Sequence, residues 1–494
     1  MELVLIVIYG LALAFIFCYS LIQLQLVFKY KKYKQEAKVE KSLYSENQDW
    51  PSVCVQLPIF NERYVVNRLL EAVAKIDYPN NRLEIQVLDD STDETQAILQ
   101  KKVKELKSNS LNIKYIHRVD RSGFKAGALA NGLELTDAEF IAIFDADFLP
   151  PKEFLKQAMP AFNSPQLGMV QSRWEHLNEG FSWLTKLQAF GLDAHFSVEQ
   201  GGRNAGQHFI NFNGTAGVWR KETIIDAGGW QADTLTEDLD LSYRAQLKGW
   251  KFKFLESLGT PAELPAAMNA LKTQQFRWNK GAAECVRKNL GKVLNANNLP
   301  FTTKLNAVFH LMNSAVFLCI VVLALLSIPM LVIKHYFVEY HLLFLLASVF
   351  IISLPILALF YWTSWERMYT NKWKAFLHFC VRFPVFLSVS MGLSLHNAWA
   401  VLEGYIGKKS PFLRTPKFAL NEGSNEKWFQ NKYLSKQIPF LPFLELVFAI
   451  YFAFGIRLGF QYQDYGLMPF HLMLFVGFSY VAFLSFWHGL KVSR

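Results

Sequence analysis

Acidic residues gather at three places in this chain. Asp89 and Asp90 follow an apolar run ending at Leu88, with Asp93 close behind. Asp145 and Asp147 follow Phe144, and Glu237 and Asp238 follow Thr236 after the turn-rich Ala227–Gly228–Gly229–Trp230. Carboxylates two residues apart around a turn can share one divalent cation. Hard Mg²⁺ or Mn²⁺ takes oxygen ligands and keeps sites free for substrate phosphates. Asp145 and Asp147 are therefore the candidate metal ligands, although an aspartate at a strand end also serves its own turn. Glu237 and Asp238 open a helical pattern, where the helix dipole favours acids. They are equally candidates for a general base that takes the proton of a substrate hydroxyl. Further on, Gln274, Arg277 and Trp278 share one helical face. An arginine there can bridge a diphosphate and a tryptophan can stack on a sugar ring, or the pair can anchor an interfacial helix.

These residues need a scaffold, and the pattern around them alternates. Runs at 53–57, 84–88, 113–117 and 140–144 predict strands; 61–75, 93–106 and 125–133 predict helices. Strand–helix alternation implies βαβ units, an α/β fold with a parallel sheet covered on both faces. Ligands of such sheets sit at the carboxyl ends of the strands, which is where both early acidic clusters fall.

The flanks are of another kind. Residues 3–22 carry no charge and are long enough to cross a hydrocarbon core of roughly 30 Å. Cations come only after this run, at Lys29, Lys31, Lys32 and Lys34, which predicts an outside N-terminus and a cytoplasmic domain beyond it. Apolar segments at 305–332, 342–362, 441–456 and 467–487 bring the expectation to about five crossings. Segment 376–402 contains Arg382, Pro384, His396 and Asn397. Its basic flanks, Arg367, Lys372 and Lys374 before it and the loop from Lys408 to Lys436 after it, belong on one side with the tail Lys491 to Arg494. It is therefore expected to be an interfacial or re-entrant helix. The domains read as a first span over 1–28, a polar domain over 50–290, and a membrane region over 300–494. A loop near 403–438 interrupts that last region.

Lys and Arg number 51 against 41 Asp and Glu, a formal charge of +10. Because the excess stands beside apolar spans, it points to membrane lipids rather than nucleic acid. The five cysteines form no CxxC or Cys/His spacing suited to zinc.

Taken in order, Val87–Leu88–Asp89–Asp90–Ser91–Thr92–Asp93, Asp145–Ala146–Asp147, Thr236–Glu237–Asp238 and Gln274–Gln275–Phe276–Arg277–Trp278 resemble the early Asp, DxD, [TS]ED and QxxRW motifs of processive glycosyltransferase family 2. Gln56–Leu57–Pro58, Gly123–Phe124–Lys125–Ala126–Gly127–Ala128, Val170–Gln171–Ser172–Arg173–Trp174 and Phe212–Asn213–Gly214–Thr215–Ala216–Gly217 are similar to plant cellulose synthase-like mannan and glucan synthases and their bacterial relatives. The resemblance implies a GT-A nucleotide-sugar domain inserted between transmembrane helices. Pro58, Asn61, Glu62, Asp89 and Asp90 would then face the donor nucleotide together with Lys125. Asp145 and Asp147 would hold Mg²⁺ or Mn²⁺ at the diphosphate, and Asp238, beside Glu237, would be the base. Phe212, Asn213, Gly214, Gln274, Arg277 and Trp278 would shape the acceptor and diphosphate subsites. Phe412–Leu413–Arg414–Thr415–Pro416–Lys417 resembles the FxVTxK gating loop, with Arg414 at the valine position, and assigns gating to Phe412, Thr415 and Lys417.

The activity implied is inverting transfer of a hexose from UDP-glucose or GDP-mannose to a growing β-linked polysaccharide. Export would run through the chain's own spans, with accessory export proteins as further partners. The setting would be a multi-pass protein of a bacterial inner or cell membrane, with its catalytic domain cytoplasmic. A single addition to a lipid acceptor, as in ceramide glucosyltransferase, stays open, as does a non-catalytic sugar-binding scaffold or transporter.

Overall fold

The computed structural model describes residues 1–36, 50–420, 428–434 and 440–493. Parts of the expected basic loop (421–427 and 435–438, with Lys436) and Arg494 lie outside the described residues.

The β-branched and apolar runs form one seven-stranded sheet: β1 (Val53–Ile59), β2 (Leu83–Asp89), β3 (Ile113–His117), β4 (Phe140–Ile143), β5 (Leu167–His176), β6 (Gly217–Arg220) and β7 (Lys251–Ala262). Their spatial order is β3-β2-β1-β4-β6-β5-β7. Side chains alternate across it. Val53, Val55 and Leu57 of β1 enter a core with helices Val66–Val73 and Thr95–Ser108, whereas Cys54 joins Ile141, Ile143 and Leu129 beneath helices Phe124–Glu134 and Glu237–Leu247.

The sheet is mixed, not parallel throughout as the sequence pattern suggested. β6 runs antiparallel to β4 and β5, with Gly217 paired to Ile143 and to Gln171. The reversal has a consequence for the site. Parallel strands finish at the edge that bears Asp90 and Asp145, and a reversed strand begins there, so the loop leading into β6 delivers Asn213 and Gly214 to that edge.

Among the described residues, six helices are long and apolar enough to cross a membrane: Glu2–Lys34, Phe301–Tyr336, Val338–Met368, Lys372–Gly392, Leu441–Gln461 and Met468–Val492. That is one more than the sequence-based expectation. The expected single segment 376–402 is broken at Leu393 into Lys372–Gly392 and Ser394–Ile406. Arg382 does not interrupt the first of these, because it finds Glu179 at 3.4 Å and stacks on Trp365, 4.6 Å from the ring centre. The second packs on the long helix Met268–Asn295, where Lys280 meets Glu403 at 3.0 Å and His396 bonds the Lys272 carbonyl at 2.8 Å.

The first apolar helix is fastened to the sheet domain. Tyr30 donates to Glu256 at 2.7 Å and Lys34 pairs with the same carboxylate at 2.9 Å. A side chain at Gly202 would collide with the Leu26 carbonyl at 2.6 Å, so the two backbones meet closely at that glycine.

Candidate active site

A cleft with ≈ 1310 Å³ of empty space, part of it open to solvent, runs along the carboxyl ends of β1, β2, β4, β5 and β7. It is lined by Pro58, Glu62, Asp90, Lys125, Asp145, Asp147, Asn213, Gly214, Glu237, Asp238, Gln274, Arg277, Trp278, Phe412, Thr415 and Lys417. Sixteen residues named from sequence, scattered over more than 350 residues of chain, thus face one space.

Three others do not. Asp89, the last residue of β2, is fully buried under β3, accepting from Ser91 N–H at 2.9 Å and Tyr115 O–H at 2.6 Å and lying 3.3 Å from His117. Asn61 stands in a left-handed turn (φ 53°), where it receives Thr92 N–H at 2.8 Å and donates its own N–H to Ser91 at 2.8 Å. Phe212 is buried against Trp219 at 5.6 Å, inside the second core. These residues brace the walls of the cavity. Asp90 differs from Asp89 by one strand position, and so points the other way. It lines the cavity while receiving both Nε and Nη2 of Arg118 at 2.8 and 2.6 Å.

The charges are paired across the cavity. Lys125 donates to Asp145 at 2.6 Å and to the Gly214 carbonyl at 2.9 Å. Lys417 pairs with Asp147 at 2.6 Å and Arg414 with Glu62 at 2.6 Å. Arg277 reaches Thr415 at 3.5 Å and lies over the Phe412 ring at 4.7 Å, while Phe412 stacks on Phe124 at 5.7 Å. The 412–417 loop therefore lies over the cavity with its two cations on two cavity carboxylates.

Asp238 sits in the first turn of helix Glu237–Leu247. Gly214, with φ 80°, lies so close that a side chain there would come within 3.1 Å of Asp238 Oδ2 and 3.4 Å of Lys125 Nζ. Burial first, then the adjacent Glu237 charge, pushes the Asp238 carboxyl up to about 7, against the opposing pull of Lys125. Glu237 is raised as well, again mainly by burial. Burial opposes the charge of Lys125 but is outweighed by Asp145 and Glu237, so its ammonium is held more firmly than usual.

The membrane-side helix Met268–Asn295 grips this turn. Glu284 accepts the Leu235 N–H at 2.7 Å, Lys288 and Asn289 each reach Asp240 at 3.0 Å, and a side chain at Gly281 would lie 2.5 Å from the Thr236 methyl. The same helix bears Gln274, Arg277 and Trp278, so the turn before Asp238 and the Gln274–Trp278 face are set by one element.

Asp145 and Asp147 suit a hard divalent ion of the Mg²⁺ or Mn²⁺ type, which needs one or two carboxylates plus substrate phosphates rather than a full protein cage. Among the described residues no cluster of three or more His, Cys, Asp or Glu could hold a metal by itself.

Sequence reasoning missed Arg121, His176 and Glu263, all on the cavity wall. Arg121 covers the Phe60 ring at 3.3 Å, and Glu263 pairs with Arg68 at 3.1 Å while accepting the Phe418 N–H at 2.7 Å. Their only signal was proximity to strand ends. Arg414 was read merely as a departure from the gating pattern.

Residues 51–281 match the family model described as glycosyltransferase like family 2. The chain is 40% identical over 279 residues to glucomannan 4-beta-mannosyltransferase 7 of Arabidopsis thaliana, covering 56% of this chain and 50% of that protein. It is 39% identical over 286 residues to glucomannan 4-beta-mannosyltransferase 1 of Cyamopsis tetragonoloba, covering 57% and 54%. The matched stretch spans about half the length of these curated relatives. Among solved structures, the mannosyltransferase PcManGT from Pyrobaculum calidifontis, in complex with GDP-Man and Mn²⁺, superimposes with a TM-score of 0.52 at 17% identity, covering 82% of this chain and 100% of that one. That likeness shows the fold, a GT-A-like mixed sheet flanked by helices. Residues 51–281 therefore form a domain of the glycosyltransferase like family 2, and the matched stretch is similar to cellulose synthase-like mannosyltransferases.

Proposed function

We propose that this chain is a membrane-embedded, inverting hexosyltransferase that extends a β-linked glycan from a nucleotide-sugar, with GDP-mannose as its donor. One observation carries the reading. Asp238, a carboxyl poised near neutral pH, faces the same cavity as two metal-suited aspartates and the cations Lys125 and Arg277.

Inverting transfer breaks the bond between the sugar C1 and the diphosphate oxygen as an acceptor hydroxyl oxygen bonds C1 from the opposite side. The hydroxyl proton goes to Asp238, and the bonding electrons leave with the nucleoside diphosphate. A divalent ion held by Asp145 and Asp147 would neutralise the developing charge on that leaving group. Lys125 and Arg277 add fixed positive charge beside it, and Trp278 offers a flat apolar face to the terminal acceptor sugar.

The donor assignment rests on the mannosyltransferase names of the plant relatives and of the solved neighbour. The polymer assignment rests on the glucomannan names of the plant relatives and on the apolar helix that packs against Met268–Asn295, the helix bearing Trp278. The catalytic domain is assigned to the cytoplasmic face because Lys29, Lys31, Lys32 and Lys34 stand at the C-terminal end of the first apolar helix. We read Lys372–Gly392 as lying along the membrane surface rather than crossing. Arg367 before it lies over Tyr30 and pairs with Glu256, Arg382 within it pairs with Glu179, and Lys417 after it reaches Asp147, so all three contact the same domain. Five crossings follow.

A donor screen with purified protein and added Mn²⁺ or Mg²⁺ tests this. Turnover of GDP-mannose that EDTA abolishes is expected. Turnover indifferent to chelator would remove the metal from the reading, and UDP-glucose as the only working donor would replace the mannosyl assignment.

A further inference from the structure

β6 is the only strand of the sheet that runs against the others, so the carboxyl ends of the remaining strands share one edge and their order lays out the cavity. Pro58 and Asp90 stand at the β1/β2 end, Asp145 and Asp147 at β4, and His176 and Leu264 at the β5/β7 end. β5 is three strand intervals from β1, roughly 14 Å at ordinary spacing. With nucleotide at β1–β2 and diphosphate at β4, the β5/β7 end is left to the acceptor. It adjoins the membrane-side helices, since Glu179, three residues past β5, pairs with Arg382.

His176 is a polar group on that wall, beside Glu263, which is held by Arg68 and the Phe418 N–H. Its Nε2 lies 3.1 Å from Asp193 Oδ1. A carboxylate only accepts, so in the neutral ring Nε2 carries the proton and Nδ1 presents a lone pair. Among the described residues Nδ1 has no hydrogen-bond partner, although the side chain is only 5% exposed and borders the cavity. The wall around it is fixed: Asn178 donates to the Leu264 carbonyl at 2.9 Å and accepts its N–H at 2.8 Å, tying the β5 and β7 exits together. Trp174, on the same face of β5 two residues earlier, lies 6.5 Å from Trp278 between ring centres.

We propose that His176, oriented by Asp193, accepts a hydrogen bond from a hydroxyl of the acceptor glycan, beyond the sugar that stacks on Trp278, and so determines acceptor specificity. The inference rests on the glycosyl-transfer reading above. The lone pair selects a ligand that brings an O–H donor, and the ring's depth makes the bond a dry one, sensitive to any sugar that turns its hydroxyl away.

The test uses the purified full chain with GDP-mannose and Mn²⁺, and β-linked manno-oligosaccharides of increasing length as acceptors. His176→Phe keeps an aromatic ring and removes the lone pair. It should raise the acceptor KM about tenfold, equivalent to ~1.4 kcal/mol, with kcat and donor Kd within about twofold. His176→Asn, whose amide oxygen can accept, should recover part of the loss, and Asp193→Asn, which frees the ring to take the other tautomer, should reproduce it. An unchanged acceptor KM in His176→Phe overturns the proposal. So does a collapse of donor Kd together with acceptor KM in both His176 variants, which would make the ring a structural support. A wild-type chain that transfers from neither GDP-mannose nor UDP-glucose fails the underlying reading instead, and that result is seen before any variant is made.

Discussion

Lys417 donates to Asp147 at 2.6 Å across 270 residues of sequence, so the second candidate metal ligand is neutralised by a cation from the membrane-side loop. Asp145 is neutralised from within the domain, by Lys125. A divalent ion entering the cavity competes with the loop for Asp147. In Lys417→Ala, Mn²⁺ should therefore bind more tightly before any nucleotide is present, by about tenfold for a coupling near ~1.4 kcal/mol. Calorimetric titration with Mn²⁺ alone measures it, and an unchanged affinity would mean that the pair does not guard the site.

Asp238→Asn removes the proposed proton acceptor and leaves the shape of the turn. Transfer should fall by roughly 10²–10⁴-fold, the usual worth of a positioned general base, while donor affinity stays near that of the wild type. A variant that keeps more than about a tenth of its activity would take Asp238 out of the reaction.

The pH profile carries a definite sign. As the proposed base Asp238 would work only as the carboxylate, and burial with Glu237 alongside holds its affinity for protons up to about 7. The rate constant kcat/KM should then be flat above neutrality and fall as pH drops below it, nearly tenfold per unit. Glu237→Gln takes away the neighbouring negative charge, so the falling limb should move to lower pH. A limb that moves upward would contradict this origin of the shift.

Gly281 is the point where the membrane-side helix touches the Thr236 turn. An added methyl would lie 2.8 Å from the Thr236 backbone nitrogen, too close to stay without a shift. Gly281→Ala should cost about 1–3 kcal/mol in strain, seen as a lower Tm. It should also lower kcat, because the base moves with the turn. A lower Tm with unaltered kcat would show that the helix grips the fold without positioning Asp238.

Much of this site was legible because its acids stand directly after strands, where a period-two pattern and a known ligand-binding edge already constrain them. What the sequence hid was parity and distance. Asp89 and Asp90 are equivalent as letters, yet one closes β2 beneath Tyr115 and the other emerges into the cavity. Phe212 and Asn213 divide the same way. The antiparallel entry of β6 depends on pairing with β4 and β5, about which the short run Gly217–Arg220 says nothing by itself. Arg414 and Lys417 find Glu62 and Asp147 only after the membrane helices return the chain to the catalytic domain. Arg382 and Pro384 looked like interruptions in an apolar segment, but the helix runs through both because Glu179 and Trp365 receive the arginine.

The most direct test of the central claim is the size and linkage of the product made by the purified chain, reconstituted in lipid with labelled GDP-mannose and Mn²⁺. The account predicts a polymer that an endo-acting β-mannanase degrades and that Asp238→Asn does not make. A single labelled glycolipid, or label transferred equally well by Asp238→Asn, would contradict it.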